Sequence, residues 1–196
     1  MHPLVIIAHI CFLVMLVAGC SSSPPSSFYT LSAGAVPTTT TSNLSVIVGP
    51  VSVPEVVDRP QMVVSMGPNQ VRLDEFNRWA LPLKNNISLV VAENLMGLLG
   101  TSKVIQSSQI TNTDAEYRVV IEVQRFESAP GEAATLDAVW TVRRIRDGKA
   151  ETGRTIQRET VQGNGYDELA AAHSRALARL SQDIAKAVRT LDASGQ

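Results

Sequence analysis

The chain has 196 residues, 44% of them hydrophobic and 18% charged, with a formal net charge of −1. Such a chain is too apolar for a solvated disordered tail and lacks the basic excess of nucleic-acid-binding domains, so no nucleic acid is expected as a partner. Its length suits one ordinary domain plus a targeting segment.

Leu4–Val17 reads LVIIAHICFLVMLV, interrupted only by His9. As a helix this run spans about 21 Å, against a hydrocarbon core of ~30 Å. That suits the apolar core of a signal peptide better than a permanent membrane span. Val17-Ala18-Gly19-Cys20 follows at once. Small residues let a backbone lie extended in a peptidase cleft, and the cysteine offers a thiol for lipid. The stretch resembles the lipobox of bacterial lipoproteins (an apolar residue, a small residue, Gly or Ala, then Cys) at all four positions. Met1-His2-Pro3 departs from export signals in carrying no Lys or Arg. The resemblance implies cleavage between Gly19 and Cys20, with diacylglycerol and an N-acyl chain on Cys20. Residues 1–19 are then signal, 20–27 lipidated cysteine and tether, and 28–196 the domain. Cys11, His2 and His9 leave with the signal. No thiol remains for a disulfide, a nucleophile or a metal, and His173 becomes the only mature histidine.

Ser21–Ser27 is Ser/Pro-rich, a short leash. From Cys20 to Phe28 it reaches at most about 28 Å. Ser21, where sorted lipoproteins of enteric bacteria carry Asp for inner-membrane retention, implies the outer membrane by the same resemblance. Phe28–Leu31 reads as a short strand, Ala33–Asn43 as a loop and Leu44–Val48 as a buried strand punctuated by Gly49-Pro50 and Val53-Pro54. Gln61–Met66 and Gln70–Leu73 predict a hairpin about Gly67-Pro68-Asn69. Pro82 opens and Gly100 closes a helix whose Ile87, Val90, Val91, Leu95, Leu98 and Leu99 recur at three- and four-residue steps. Lys103–Ile105 is a brief strand.

Tyr117, Val119, Ile121 and Val123 alternate with polar residues, a half-buried strand. Ser128–Glu132 turns the chain, and Leu136, Ala138, Trp140 and Val142 alternate again. Asp147-Gly148 predicts a type I′ hairpin turn, with a return strand over Gly153–Val161. Asn164 or Asp167 can cap a final helix with Leu169, His173, Leu177, Leu180, Ile184, Val188 and Leu191 on one face. The order predicts one α/β or α+β layer structure, and of the two we expect a single α/β domain, a mixed sheet under two main helices.

Little here advertises chemistry. His173 lies on the apolar face of the last helix, a packing position. No G-x-S-x-G elbow or phosphate-cradling glycine loop accompanies it. No catalytic residue, metal or cofactor is therefore expected. Arg175, Arg179, Lys186 and Arg189 read as a solvated helix face with Asp183 placed to pair with Arg179, against the sharper reading of a surface for an anionic partner. Arg143, Arg144, Arg146, Arg154 and Arg158 read as a solvated sheet edge.

Three stretches together carry a wider resemblance. They are Phe28-Tyr29-Thr30-Leu31, then VGPVSVPEVVDRPQMV (Val48–Val63) with VRLDEFNRWALPL (Val71–Leu83), then YDELAAAHSRALARLSQDIA (Tyr166–Ala185). This series is similar to the ABC-type transport auxiliary lipoproteins, the PqiC (YmbA) family. The resemblance implies an anticodon-binding-domain-like α/β fold akin to the N-terminal domain of TolB. It also implies a non-enzymatic lipoprotein on the periplasmic face of the outer membrane, working with an MCE-domain tunnel protein and its membrane permease complex. Outer-membrane lipids and a ring of copies enter by the same route. The rival expectation is a lipoprotein scaffold or regulator of envelope or peptidoglycan assembly. Asp58, Arg59 and Trp79 are the candidate partner-binding residues, because Arg and Trp are frequent interface anchors. The plainer account has Asp58-Arg59-Pro60 satisfying a loop and Trp79 packing ahead of the first helix.

Overall fold

Strands β1 (Ser27–Tyr29), β2 (Val46–Ser52), β3 (Gln61–Gly67) and β4 (Gln70–Trp79) precede helix α1 (Leu83–Leu99). After it come β5 (Val104–Gln106), a meander of β6 (Tyr117–Ala129), β7 (Ala133–Arg144) and β8 (Ala150–Thr160), and helix α2 (Tyr166–Ala193). These elements belong to a computed structural model that describes residues 24–34, 41–107 and 115–194. The signal, Gly19, Cys20 and part of the loop expected at Ala33–Asn43 lie outside the described residues.

All eight strands join one mixed sheet that forks about β6. One edge of β6 is shared by two parallel partners. β2 takes its first half (Val46↔Tyr117, Val48↔Val119), and β3 touches its far end at Val64↔Ser128. The other edge pairs antiparallel with β7, which pairs with β8. Beyond β2 lies β5; beyond β3 lie antiparallel β4 and then parallel β1. Both helices cover one face. The single α/β domain, its mixed sheet and its two helices stand as the sequence predicts.

Burial follows the periodicities. On β6, Tyr117, Val119, Ile121 and Val123 are buried while Val120, Glu122 and Gln124 are exposed. α1 buries Ile87, Val90, Val91 and Leu95, and α2 buries Leu169, Leu177, Leu180, Ile184 and Val188, all in one core. Gly100 ends α1 in the left-handed region, φ 62°, with Thr101 N–H donating to the Met96 carbonyl. That conformation is nearly free for glycine and strained for other residues. Gly153 pairs across from Trp140, whose indole passes so close that a Cβ there would sit 2.3 Å from Cζ2. The missing side chain is the space that the ring occupies.

Several expectations need correcting. The strand after the first loop does not stop at Gly49-Pro50. It runs from Val46 to Ser52, through a cis Gly49–Pro50 bond and a shift of register between Val48 and Val51. The Asp147-Gly148 turn is not type I′, because Gly148 has φ 72° and no non-glycine residue among those described has positive φ. A five-residue loop, Ile145–Lys149, closes it, with Gly148 N–H donating to the Arg144 carbonyl. The cap of α2 is Gly165, not Asn164 or Asp167. The Asp167 carboxylate folds back over Gly165, where a Cβ would meet Oδ1 at 2.0 Å, so a larger residue at the cap would turn that carboxylate aside. Strand β6 continues to Ala129, and the turn is correspondingly tighter than Ser128–Glu132.

A candidate partner-facing surface around Asp58 and Arg59

Between β2 and β3 the chain makes a compact turn. Val57 and Asp58 donate their N–H groups to the Pro54 carbonyl, and Arg59 N–H to that of Val57. The Pro60 carbonyl accepts from Trp79 N–H at 2.8 Å, tying this turn to the end of β4. Ala80 N–H reaches the Tyr29 carbonyl of β1 at 2.8 Å. These backbone links bring Asp58, Arg59 and Trp79 together. With Ala80–Leu83 they line an open depression of about 330 Å³.

Their side chains play different parts. Asp58 is exposed and pairs with Lys84 of the first turn of α1, Oδ2 to Nζ 3.1 Å. An exposed pair of this kind contributes about 0–1 kcal/mol. Arg59 is half-buried, and its Nε has no hydrogen-bond partner among the described residues. Trp79 points inward and is 5% exposed. Its ring meets Phe126 edge-on at 6.1 Å and His173 at 6.5 Å. Only the rim of the indole's pocket is open to a partner, so a partner meeting this depression touches mainly the Asp58–Arg59 turn.

His173 is a packing histidine, 0% exposed. It stacks flat on Phe126, centroids 3.7 Å apart, and its Nε2 lies 2.8 Å from Ser128 Oγ. Nδ1 meets no partner among the described residues. An orphaned buried donor costs more than an orphaned acceptor with its spare lone pairs, so the assignment that fits has Nε2–H donating to Ser128. Burial pushes the imidazole down to about 3. A serine beside so weak a base, both buried and with no carboxylate on Nδ1, has neither the activation nor the access that nucleophilic catalysis needs. No group of three His, Cys, Asp or Glu among the described residues is placed to hold a metal.

The depressed histidine has a measurable consequence. Its unfolded value is about 6.5, so below that the unfolded chain binds a proton that the folded chain refuses, and stability falls as pH drops. The contribution is complete above pH ~6.5 and is lost toward pH 3 at up to ~1.4 kcal/mol per unit. Between pH 6.5 and 5 the urea midpoint of the mature protein is expected to fall by the equivalent of about 2 kcal/mol. His173→Gln should flatten that slope; an equal slope in the variant would assign the dependence elsewhere.

The basic residues are less free than their sequence suggests. Arg175 donates to Glu159 Oε2 at 3.3 Å and to the Thr160 carbonyl at 2.7 Å, and Arg189 to the Leu98 carbonyl. Arg179 reaches Gln182, not Asp183. Asp183 instead accepts from Thr155 Oγ1 at 2.6 Å, because α2 lies over β8 and brings that hydroxyl within reach. Arg144 is not on a solvated edge at all. Its buried guanidinium grips Asp147 through Nε (3.0 Å) and Nη2 (2.7 Å) and donates Nη1 to the Leu191 carbonyl (2.6 Å). It thereby serves an end carbonyl of α2, and it holds the Asp147 carboxyl down to about 2.

Other depressions are open as well. One of about 650 Å³ lies between the hairpin tips, rimmed by Arg72, Glu127, Glu132 and Arg158. Another of about 350 Å³ lies beside Tyr117, Arg144 and Asp192. No helix among the described residues is long and apolar enough to cross a membrane.

This is a two-helix, single-sheet α/β domain whose conspicuous features are surfaces. Over residues 29–185 the chain matches the family described as ABC-type transport auxiliary lipoprotein component, and it belongs to that family. The family is a transport component rather than an enzyme class. Among solved structures, an uncharacterized protein shares the fold with TM-score 0.69 at 21% identity, over 84% of this chain and 99% of that one. A Xanthomonas campestris protein of the family DUF330 shares it with TM-score 0.64 at 17% identity, over 90% and 100%. No curated protein sequence matches.

Proposed function

We propose that this chain is a lipid-anchored adaptor of an MCE-type intermembrane transport system. It is held by Cys20 at the periplasmic face of the outer membrane and docks the periplasmic tunnel there. The observation that carries the reading is the family match, which runs through nearly the whole domain and names an auxiliary lipoprotein. The architecture supports an adaptor rather than a solitary lipid carrier, since the depressions among the described residues are open and the core between sheet and helices is filled with side chains. β1 begins at Ser27, the last residue of the Ser/Pro leash, so the domain stands close to its membrane. The Asp58–Arg59 turn is the surface we assign to the tunnel protein or to neighbouring copies in a ring.

Crosslinking in cells tests this. The full lipoprotein, carrying a photoreactive residue in place of Arg59, is expected to capture an MCE-domain protein. Consistent capture of peptidoglycan synthases alone would overturn the adaptor reading in favour of a scaffold of wall assembly.

A further inference from the structure

Among the described residues, every exposed large apolar side chain except Val120, Ile145 and Ile156 lies in β1, β3, β4 or the loops beside them. The register shows which of these share a face. Tyr29 and Trp79, paired in β1 and β4, turn inward: Tyr29 meets Tyr166 at 5.9 Å and Trp79 meets His173. Arg72 and Asp74 turn the same way, since both hydrogen-bond the Tyr166 hydroxyl at the start of α2. Asn77 does so too, accepting from Tyr29. Side chains alternate along a strand on either side of the register shift that β4 makes between Asp74 and Arg78, so Val71 and Leu73 are counted from Arg72 and Asp74, and Phe76 from Asn77. Phe28, Val71, Leu73 and Phe76 therefore face away from the helices, at 65%, 52%, 38% and 39% exposure. Apolar surface gathered in this way marks an interaction site.

The chain leading to this patch says what covers it. Phe28 sits in β1, the strand that the leash enters, and is at most about 28 Å of extended chain from Cys20. The one surface that the leash always holds within reach of Phe28 is the bilayer carrying the acyl chains. Tethering raises the local concentration of that surface, so a patch too weak to bind membranes alone is engaged once the lipid is in place. We propose that the outer face of the β1–β4–β3 ribbon, centred on Phe28, Leu73 and Phe76, rests on the lipid surface of the anchoring membrane and fixes the orientation of the domain. The inference relies on the Cys20 anchor.

The test uses the full lipidated protein, reconstituted into phosphatidylethanolamine–phosphatidylglycerol vesicles. With Cys20 acylated, a fluorophore on Leu73→Cys or on Ile156→Cys is unique; Ile156 is more exposed, 59% against 38%, and lies in β8 at the other edge of the sheet. Each sample is first floated with the vesicles, then challenged with dibrominated lipid. Expected is flotation of both, with the probe at position 73 losing most of its emission and that at 156 keeping it. Adding Phe28→Ser and Phe76→Ser should restore emission at 73 without affecting flotation. Flotation with equal emission at the two positions overturns the membrane-resting face alone. So does shielding at 73 without quenching, together with crosslinked dimers through that position, which would assign the patch to a second copy. Failure to float overturns the anchor and the inference together.

Discussion

Cys20→Ala is expected to stop incorporating labelled palmitate and to leave the membrane fraction that holds the parent protein, while its circular dichroism and urea midpoint stay unchanged. Stable anchoring takes about two lipid signals, at ~0.8 kcal/mol per buried CH₂, and the resemblance to lipoproteins puts all the acyl chains on this one residue. The folded domain begins with β1 at Ser27, where the Ser/Pro leash ends, and the first residues that pack in its core are Tyr29 and Leu31. Loss of the lipid therefore removes the address without touching the fold. A variant that still fractionates with the same membrane and still takes up palmitate would show that the anchor lies elsewhere.

Trp79→Ala is expected to cost about 3–5 kcal/mol of stability, the range for truncating a buried tryptophan. The indole fills the space between Phe126, His173 and the base of the Asp58–Arg59 turn, and the backbone link from Trp79 N–H to Pro60 holds that turn in place. A large drop in urea midpoint is the expected readout. Asp58→Ala, which only frees an exposed Lys84, should move the midpoint by less than about 1 kcal/mol. A Trp79→Ala protein of parental stability would mean that the indole packs less than its burial implies. Asp58→Ala with parental stability but reduced crosslinking to an MCE protein would place the contact on the turn, not on the tryptophan.

The local features were legible in the sequence. Pro82 and Gly100 bracket α1, and the three- and four-residue spacing of Leu169 through Leu191 sets the buried face of α2. The alternation of Tyr117 to Val123 gives the inward side of β6. What escaped depends on residues far apart in the chain. The division of one β6 edge between β2 and β3 is a matter of long-range pairing that no local pattern encodes. Arg144 reads like any other cation of the meander, yet the carbonyl of Leu191, 47 positions later, draws it inside. Asp183 had a helical neighbour of opposite charge available, and a hydroxyl from β8 took its place. In the candidate site, Asp58, Arg59 and Trp79 each stand out in the sequence, but their meeting rests on the Pro60–Trp79 link, which is invisible without the sheet. The outward apolar face is hidden from the sequence because Phe28, Leu73 and Phe76 belong to strands whose inward sides are set by contacts with α2.

The segment just after β1 carries a mechanical consequence. Leu31 is buried, Ser32 N–H donates to Ser174 Oγ of α2 at 3.1 Å, and Gly34 N–H donates to Asn94 Oδ1 of α1 at 2.9 Å. Asn94 in turn donates to Ser181 across the seam between the helices. A pull arriving along the leash is therefore not borne by an edge strand alone. It is divided among the β4 ladder and side chains of both helices, so that the load spreads over the whole body. A domain strapped in this way takes a pull at its N-terminal end as one body.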